Sequence, residues 1–302
     1  MRDTARAALE WAVHAASLAR LGRRTNRQRP LILAYHNIIP DDSPASGERS
    51  LHLPLSAFEA QLDHLQAHAE VVPLSAVTEP WKPGGRLRVA LTFDDAYRGA
   101  VVLGLPELAR RGLPATVFVV PGCLGSRAFW WDQLAGPAGE LSPAVRQHAL
   151  TDCRGSNDEV LAWASQARLP VADVPSMLRT ATEPELVASL RLGSFTAGCH
   201  TWSHPNLTML DEAAQSVELT RAVEWLERNC RDQAIRWLAY PYGEHTGAVE
   251  AAAARAGLRH ALAVAGGFVA PHATAFTLPR LTIPARLSRR GFELRVAGLI
   301  SR

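Results

Sequence analysis

Every polar, ligand-bearing motif in this chain sits directly behind a short apolar run, and that placement restricts the fold more than any other feature. Leu31-Ile32-Leu33-Ala34-Tyr35 runs into His36-Asn37, and Val89-Ala90-Leu91 runs into Thr92-Phe93-Asp94-Asp95. The run Phe195 to Cys199 precedes His200-Thr201-Trp202-Ser203-His204-Pro205, and Ile235 to Tyr240 leads into Pro241-Tyr242-Gly243. Continuous apolar runs of this length, rather than alternating ones, are expected of strands buried on both faces of a parallel sheet. Loops that follow such strands converge on one rim when the sheet closes into a barrel. The pattern therefore predicts an α/β chain in which distant motifs meet.

The rest of the sequence supplies the alternation that a barrel needs. Ser56 with Glu59 reads as a capping box ahead of Phe58, Leu62 and Leu65, so a helix is expected there. Residues 88–93 read as a strand, Leu105 to Arg111 as a helix and Ala115 to Val120 as a β-branched strand. Between about 129 and 191 the alternation lapses. This segment reads as a helical insertion, with starts near Pro143, Ser156, Pro175 and Thr182. Leu219, Ala222, Val223, Leu226 and Cys230 then form a helical stripe, followed by a helix near Ala248 to Ala256 and strands at Ala261 to Val264 and Phe276 to Ile283. The expected organisation is an N-terminal basic helix over 1–29 and one catalytic domain over 30–302.

Composition narrows the chemistry. The 302 residues suffice for one large α/β domain, and the single lysine, Lys82, lies in a Pro/Gly-rich turn, which disfavours Schiff-base catalysis. Cys123, Cys153, Cys199 and Cys230 lack C-x-x-C spacing and read as reduced core thiols. Seven arginines against Asp3 and Glu10 put +5 on residues 1–30, leaving −2 for the remainder of a chain of net charge +3. The body is thus not a nucleic-acid surface. The N-terminal helix either packs on the domain or makes a peripheral membrane contact. The N-terminus shows no secretory signal pattern, so a cytoplasmic location is expected, membrane-peripheral only under the second of these readings. Serine-hydrolase and nucleotide-loop motifs do not occur.

Two imidazoles with three residues between them and two adjacent carboxylates suit a hydrolytic metal centre. One carboxylate with both imidazoles leaves a coordination position open for water, and the other carboxylate is free as a base. The same residues read separately as a helix N-cap pair and a solvated loop pair. A rival imidazole pair, His64 and His68, has no carboxylate motif beside it.

Taken in order, Thr92-Phe93-Asp94-Asp95, His200-x-x-x-His204-Pro205 and Pro241-Tyr242-Gly243 resemble the polysaccharide deacetylase (NodB-homology, carbohydrate esterase family 4) domain, over roughly residues 30 to 285. The resemblance implies a distorted (β/α) barrel with fewer than eight repeats and the removal of N-acetyl groups from sugars. It implies Asp95, His200 and His204 as ligands of one divalent ion, zinc first, with Co2+, Ni2+, Mn2+ or Fe2+ as other candidates. It implies Asp94 as the base and the backbone N–H of Tyr242, in the turn opened by Pro241, as an oxyanion donor. The chain departs from the family in two places. Ala239 stands where an arginine is frequent, with Arg280 as a substitute source of the guanidinium. No histidine follows His272, and His36 resembles the acid of a subgroup that carries it after the first strand. Trp130-Trp131-Asp132 resembles a sugar-facing patch, with core tryptophans the other reading; Trp131, Asp132, Pro241 and Arg280 are the candidate substrate contacts. The partner implied is an N-acetylated carbohydrate. A metal-dependent amidase or deformylase on another C–N bond, and a non-catalytic carbohydrate-binding protein, remain as alternatives.

Overall fold

The computed structural model describes residues 17–26, 28–80, 85–125, 127–264 and 266–299. Most of the expected N-terminal helix (residues 1–16) and Lys82 lie outside the described residues. Helix α1 is described over residues 17–26.

The principal strands are β1 (Leu31–Tyr35), β5 (Leu87–Phe93), β6 (Ala115–Val119), β7 (Phe195–Cys199), β8 (Ala234–Ala239) and β9 (His260–Ala263). Between β1 and β5 lie three short strands that the sequence pattern does not announce. β2 (Asn37–Ile39) and β3 (His52–Pro54) pair with each other, and β4 (Ala69–Val71) runs beside the start of β5. The last strand expected over Phe276 to Ile283 is two shorter pieces, β10 (Leu278–Pro279) and β11 (Leu281–Thr282). They separate because the segment changes partner at Arg280: Leu278 pairs with Leu262 on β9, while Leu281 pairs with Leu33 on β1. The order β10-β9-β8-β7-β6-β5-β1-β11 is parallel throughout, and its two ends belong to one segment, so the barrel is all but closed.

Side chains alternate across these strands. Ile32, Ala90, Phe118, Ala239, Leu262 and Leu278 form one buried cluster, the barrel interior; Leu33, Leu91, Val117 and Leu238 join the larger cluster beneath the helices. Phe118 fills the interior opposite Gly198, where a Cβ would lie 2.5 Å from the ring. All four cysteines are buried free thiols.

The outer layer includes α2 (Leu55–His68), α3 (Leu105–Arg110), α7 (Glu183–Leu190), α8 (Glu212–Asn229), α9 (Gly247–Arg255) and α10 (Arg289–Val296). The expected capping box at Ser56 and Glu59 does not form. Helix α2 starts two residues earlier, with Pro54 rather than Ser56 at the N-cap, and the Ser56 hydroxyl donates instead to Asp41 Oδ1 at 2.6 Å. Residues 129–191 carry α4 (Trp130–Gln133), α5 (Pro143–Thr151), α6 (Asn157–Gln166) and α7, with Ser156 capping α6 and a Thr182/Glu185 capping box starting α7. The start read at Pro175 is a single 3-10 turn, Ser176–Leu178.

Candidate active site

The turns that follow β1, β5, β7 and β8 enclose a cavity of about 280 Å³ lined by His36, Asp94, Asp95, His200, His204 and Tyr242, with Trp131, Arg146 and Arg280 also on its wall. Alternation directs Asp94 to the barrel interior, as it does Ala90 and Thr92, and would send Asp95 to the opposite face. A left-handed turn prevents that. Asp95 and Ala96 have φ of 70° and 51°, which brings both carboxylates to one cavity. Gly99, which follows this turn, has an ordinary helical φ of −61° and is not what forms it. It is glycine for space: a Cβ there would lie 2.0 Å from the Ile38 carbonyl oxygen.

The histidine turn is held from outside. Glu218 on α8 accepts hydrogen bonds from the Trp202 and Ser203 backbone N–H groups at 2.9 and 2.8 Å, and from the Ser203 hydroxyl at 2.7 Å. Thr201 and His204 take φ of 64° and 65°. His200 Nδ1–H donates to the Ala239 carbonyl at 2.7 Å, which fixes its tautomer and leaves the Nε2 lone pair facing the cavity. His204 is pushed down to about 3 by burial and by His200, so it is a neutral imidazole.

Three donor atoms converge. His200 Nε2 and His204 Nε2 are 3.2 Å apart and lie 3.5 and 3.4 Å from Asp95 Oδ1. That oxygen is buried with no hydrogen-bond partner. Among the described residues this is the one cluster of three such donors close enough to share an ion. A tetrahedral shell with bonds of about 2.1 Å has edges of about 3.4 Å, so the donor set fits a small divalent cation. His64 and His68 stack on each other at 4.4 Å with the Glu293 carboxylate 3.7 Å from His64, and join no such cluster.

Asp94 stands apart from this triangle. Its Oδ1 accepts from Arg280 Nη1 at 2.7 Å, and its Oδ2 lies 4.0 Å from His200 Nε2. Burial pushes the carboxyl upward, but Arg280 and His200 outweigh it and hold Asp94 well below the usual carboxylate range. The guanidinium that Ala239 cannot provide thus comes from the segment that closes the barrel, and it is engaged with Asp94 rather than free for a sugar. His36 lines the cavity without a hydrogen bond to any described residue. Burial holds its imidazole below the ordinary value, with Asp95 and Asp94 pulling the other way. Tyr242 adopts φ 60° and ψ 0°, its hydroxyl donates to the Gly155 carbonyl at 2.8 Å, and its ring packs edge-on to His204.

Trp131 lines the cavity and packs on His204, with ring centroids 5.0 Å apart. Asp132 does not line it. Its carboxylate is wholly buried: Oδ1 accepts from His52 Nε2–H and the Glu48 backbone N–H, each at 2.9 Å, and Oδ2 accepts from the Tyr97 hydroxyl at 2.6 Å. With these donors satisfied inside the protein, Asp132 is not a sugar contact. Pro241 is buried and does not line the cavity either; it only opens the turn that presents Tyr242.

Sequence reading overlooks the chain of hydrogen bonds running from Asn37 through His52, Asp132 and Tyr97 to the Trp131 indole N–H, which donates to the Tyr97 hydroxyl at 2.7 Å. It also overlooks Glu218. Asn37 stands in a motif already singled out, and that adjacency was the available signal.

The sequence model of polysaccharide deacetylases matches residues 82–261, more than half of the 302 residues. The chain belongs to the polysaccharide deacetylase family. A relative from Bacillus subtilis (strain 168), YxkH, named for the same family, is 26% identical over 124 residues, 39% of this chain and 42% of that protein. The match therefore spans less than half of that relative. Among solved structures, the Streptococcus pyogenes deacetylase PplD, in complex with acetate, superposes with a TM-score of 0.61 at 17% identity, over 89% of this chain and 98% of that one. IcaB from Ammonifex degensii superposes with a TM-score of 0.59 at 16% identity, over 90% and 97%. At these identities the likeness establishes the deacetylase barrel.

Proposed function

We propose that this deacetylase-family chain removes the N-acetyl group from an N-acetylated sugar by hydrolysis, using one divalent cation held by Asp95, His200 and His204. The observation that carries the proposal is the convergence of those three buried donors beside a carboxylate, Asp94, that is not among them. When bound, the cation supplies Lewis acidity toward water and the acetamide carbonyl. Asp94, ionised by its pairing with Arg280, accepts the proton from the attacking water. The Tyr242 N–H, which has no hydrogen-bond partner among the described residues, donates to the oxygen that gains charge. His36, whose proton leaves readily, delivers one to the departing amine nitrogen. Trp131 offers a flat apolar wall to the sugar or its acetyl group. Water and amide are consumed, and acetate and a free amine are formed.

The test is acetate release from a panel of N-acetylated saccharides by protein reconstituted with Zn2+ or Co2+. Acetate in step with new amine groups supports the proposal. Formate or ring-opened product would point to another C–N substrate, and saturable sugar binding without product to a carbohydrate-binding protein.

A further inference from the structure

Beneath the barrel, opposite the cavity, lies a basic groove that the reaction does not use. It has a volume of about 480 Å³ and is lined by Arg20, Arg23 and Arg24 of α1, by His68 at the end of α2 and by Arg86 ahead of β5. Among the described residues no acidic side chain lines it. Glu293, whose charge acts on Arg23, accepts from Arg289 at 3.2 Å and lies 3.7 Å from His64. Beside the arginines, Leu18 and Leu21 are 40% and 60% exposed, three residues apart on one side of α1. Their outward direction is set by packing. Ala19 and Gly22 are buried, a Cβ on Gly22 would lie 2.4 Å from the Ala297 carbonyl oxygen, and Asn26 Nδ2 donates to that carbonyl at 3.2 Å.

From this juxtaposition we propose that the α1 face of the protein docks on the surface of an anionic lipid bilayer, with the arginines at the headgroups and the two leucines at the acyl boundary. A helix carrying arginine beside exposed leucine matches that interface. Nucleic acid or free phosphate would account for the arginines but has no use for exposed leucines. The net +5 of residues 1–30 comes from Arg20, Arg23, Arg24, Arg27 and Arg29, since Asp3 and Glu10 offset Arg2 and Arg6, while residues after 30 sum to −2. Seven-residue β5 separates the groove from Asp94, about 20 Å at roughly 3.3 Å per residue, so the cavity opens away from the membrane. The docking stands independently of the reaction proposed above.

Flotation of the full-length chain with vesicles of phosphatidylglycerol and phosphatidylcholine, against vesicles of phosphatidylcholine alone, tests it. Binding is expected only to the anionic vesicles and falls as salt rises. Each arginine neutralised costs roughly fivefold in partitioning, so the combined variant R20A/R24A/R86A binds on the order of a hundredfold more weakly. L18S/L21S also weakens binding while keeping the salt dependence, and both variants keep the wild-type circular-dichroism spectrum. Equal binding to neutral vesicles, unchanged binding by the arginine variant, displacement by millimolar inorganic phosphate, or retention on DNA with none on vesicles would each overturn the proposal.

Discussion

Five of the eight described non-glycine residues with positive φ lie in the site turns: Asp95, Ala96, Thr201, His204 and Tyr242. Each costs on the order of 1–2 kcal/mol, and such strain concentrates where the chain must aim a functional group. Asp94→Asn should lower kcat by about 10²- to 10⁴-fold while the metal content of the protein is retained, measured by stopped acetate assays with elemental analysis. Arg280 is the pairing that keeps Asp94 ionised, so its removal must raise the Asp94 pKa. A base works only when deprotonated; the acid limb of the pH–rate profile of Arg280→Met should therefore move to higher pH. An acid limb unchanged from wild type would show that Arg280 does not tune the base. At this scale the sequence was informative where identity alone defines chemistry, as for Asp94, Asp95, His200 and His204. It misled at Asp132, because an acid next to tryptophans resembles a sugar contact, whereas three donors from 35 to 84 residues away in sequence enclose it. Buried polar networks have no periodicity to read.

The elements are tied together by such networks. Tyr97→Phe removes the hydroxyl that donates to Asp132 and accepts from Trp131, leaving a buried carboxylate short of a donor. A loss of about 1–3 kcal/mol in denaturant unfolding is expected, with a higher KM from the loosened Trp131 wall. Helix α2 contains a second sensitive group. Burial, aided by the neighbouring His68, pushes His64 down to about 4, with Glu293 opposing and Arg23 and Arg289 reinforcing. Below its ordinary 6.5 the unfolded chain binds a proton that the folded one refuses, so stability contributed by neutral His64 is lost as pH falls from 6.5 toward 4. Thermal melts across that range should fall less steeply for His64→Gln. The long strands, the proline start at Pro143 and the capped starts at Ser156 and Thr182 were legible because hydrophobic runs, N-terminal prolines and caps are local. The short strands β2 and β3 were not: three residues each, they pair where Asn37 and His52, 15 residues apart in sequence, meet in the network.

At the level of the whole molecule, one segment both closes the barrel and completes the site. Residues 278–282 pair with β9 on one side and β1 on the other, and Arg280 at the change of partner reaches Asp94. The parallel barrel was foreseeable from motifs lying behind apolar runs, but its closure was not, since a two-residue strand carries no pattern. A cation bound only by the folded state stabilises by mass action, about 2.7 kcal/mol at a hundredfold excess over its Kd. Added Zn2+ should raise the melting temperature of the wild type and of Asp94→Asn by several degrees, and leave His200→Ala unmoved. The most direct measurement of the central claim is metal stoichiometry by elemental analysis after loading with Zn2+ and exhaustive dialysis. One equivalent in the wild type and in Asp94→Asn, with none in the Asp95→Ala/His200→Ala double variant, is the result expected. A full equivalent in the double variant, or none in the wild type, would contradict it.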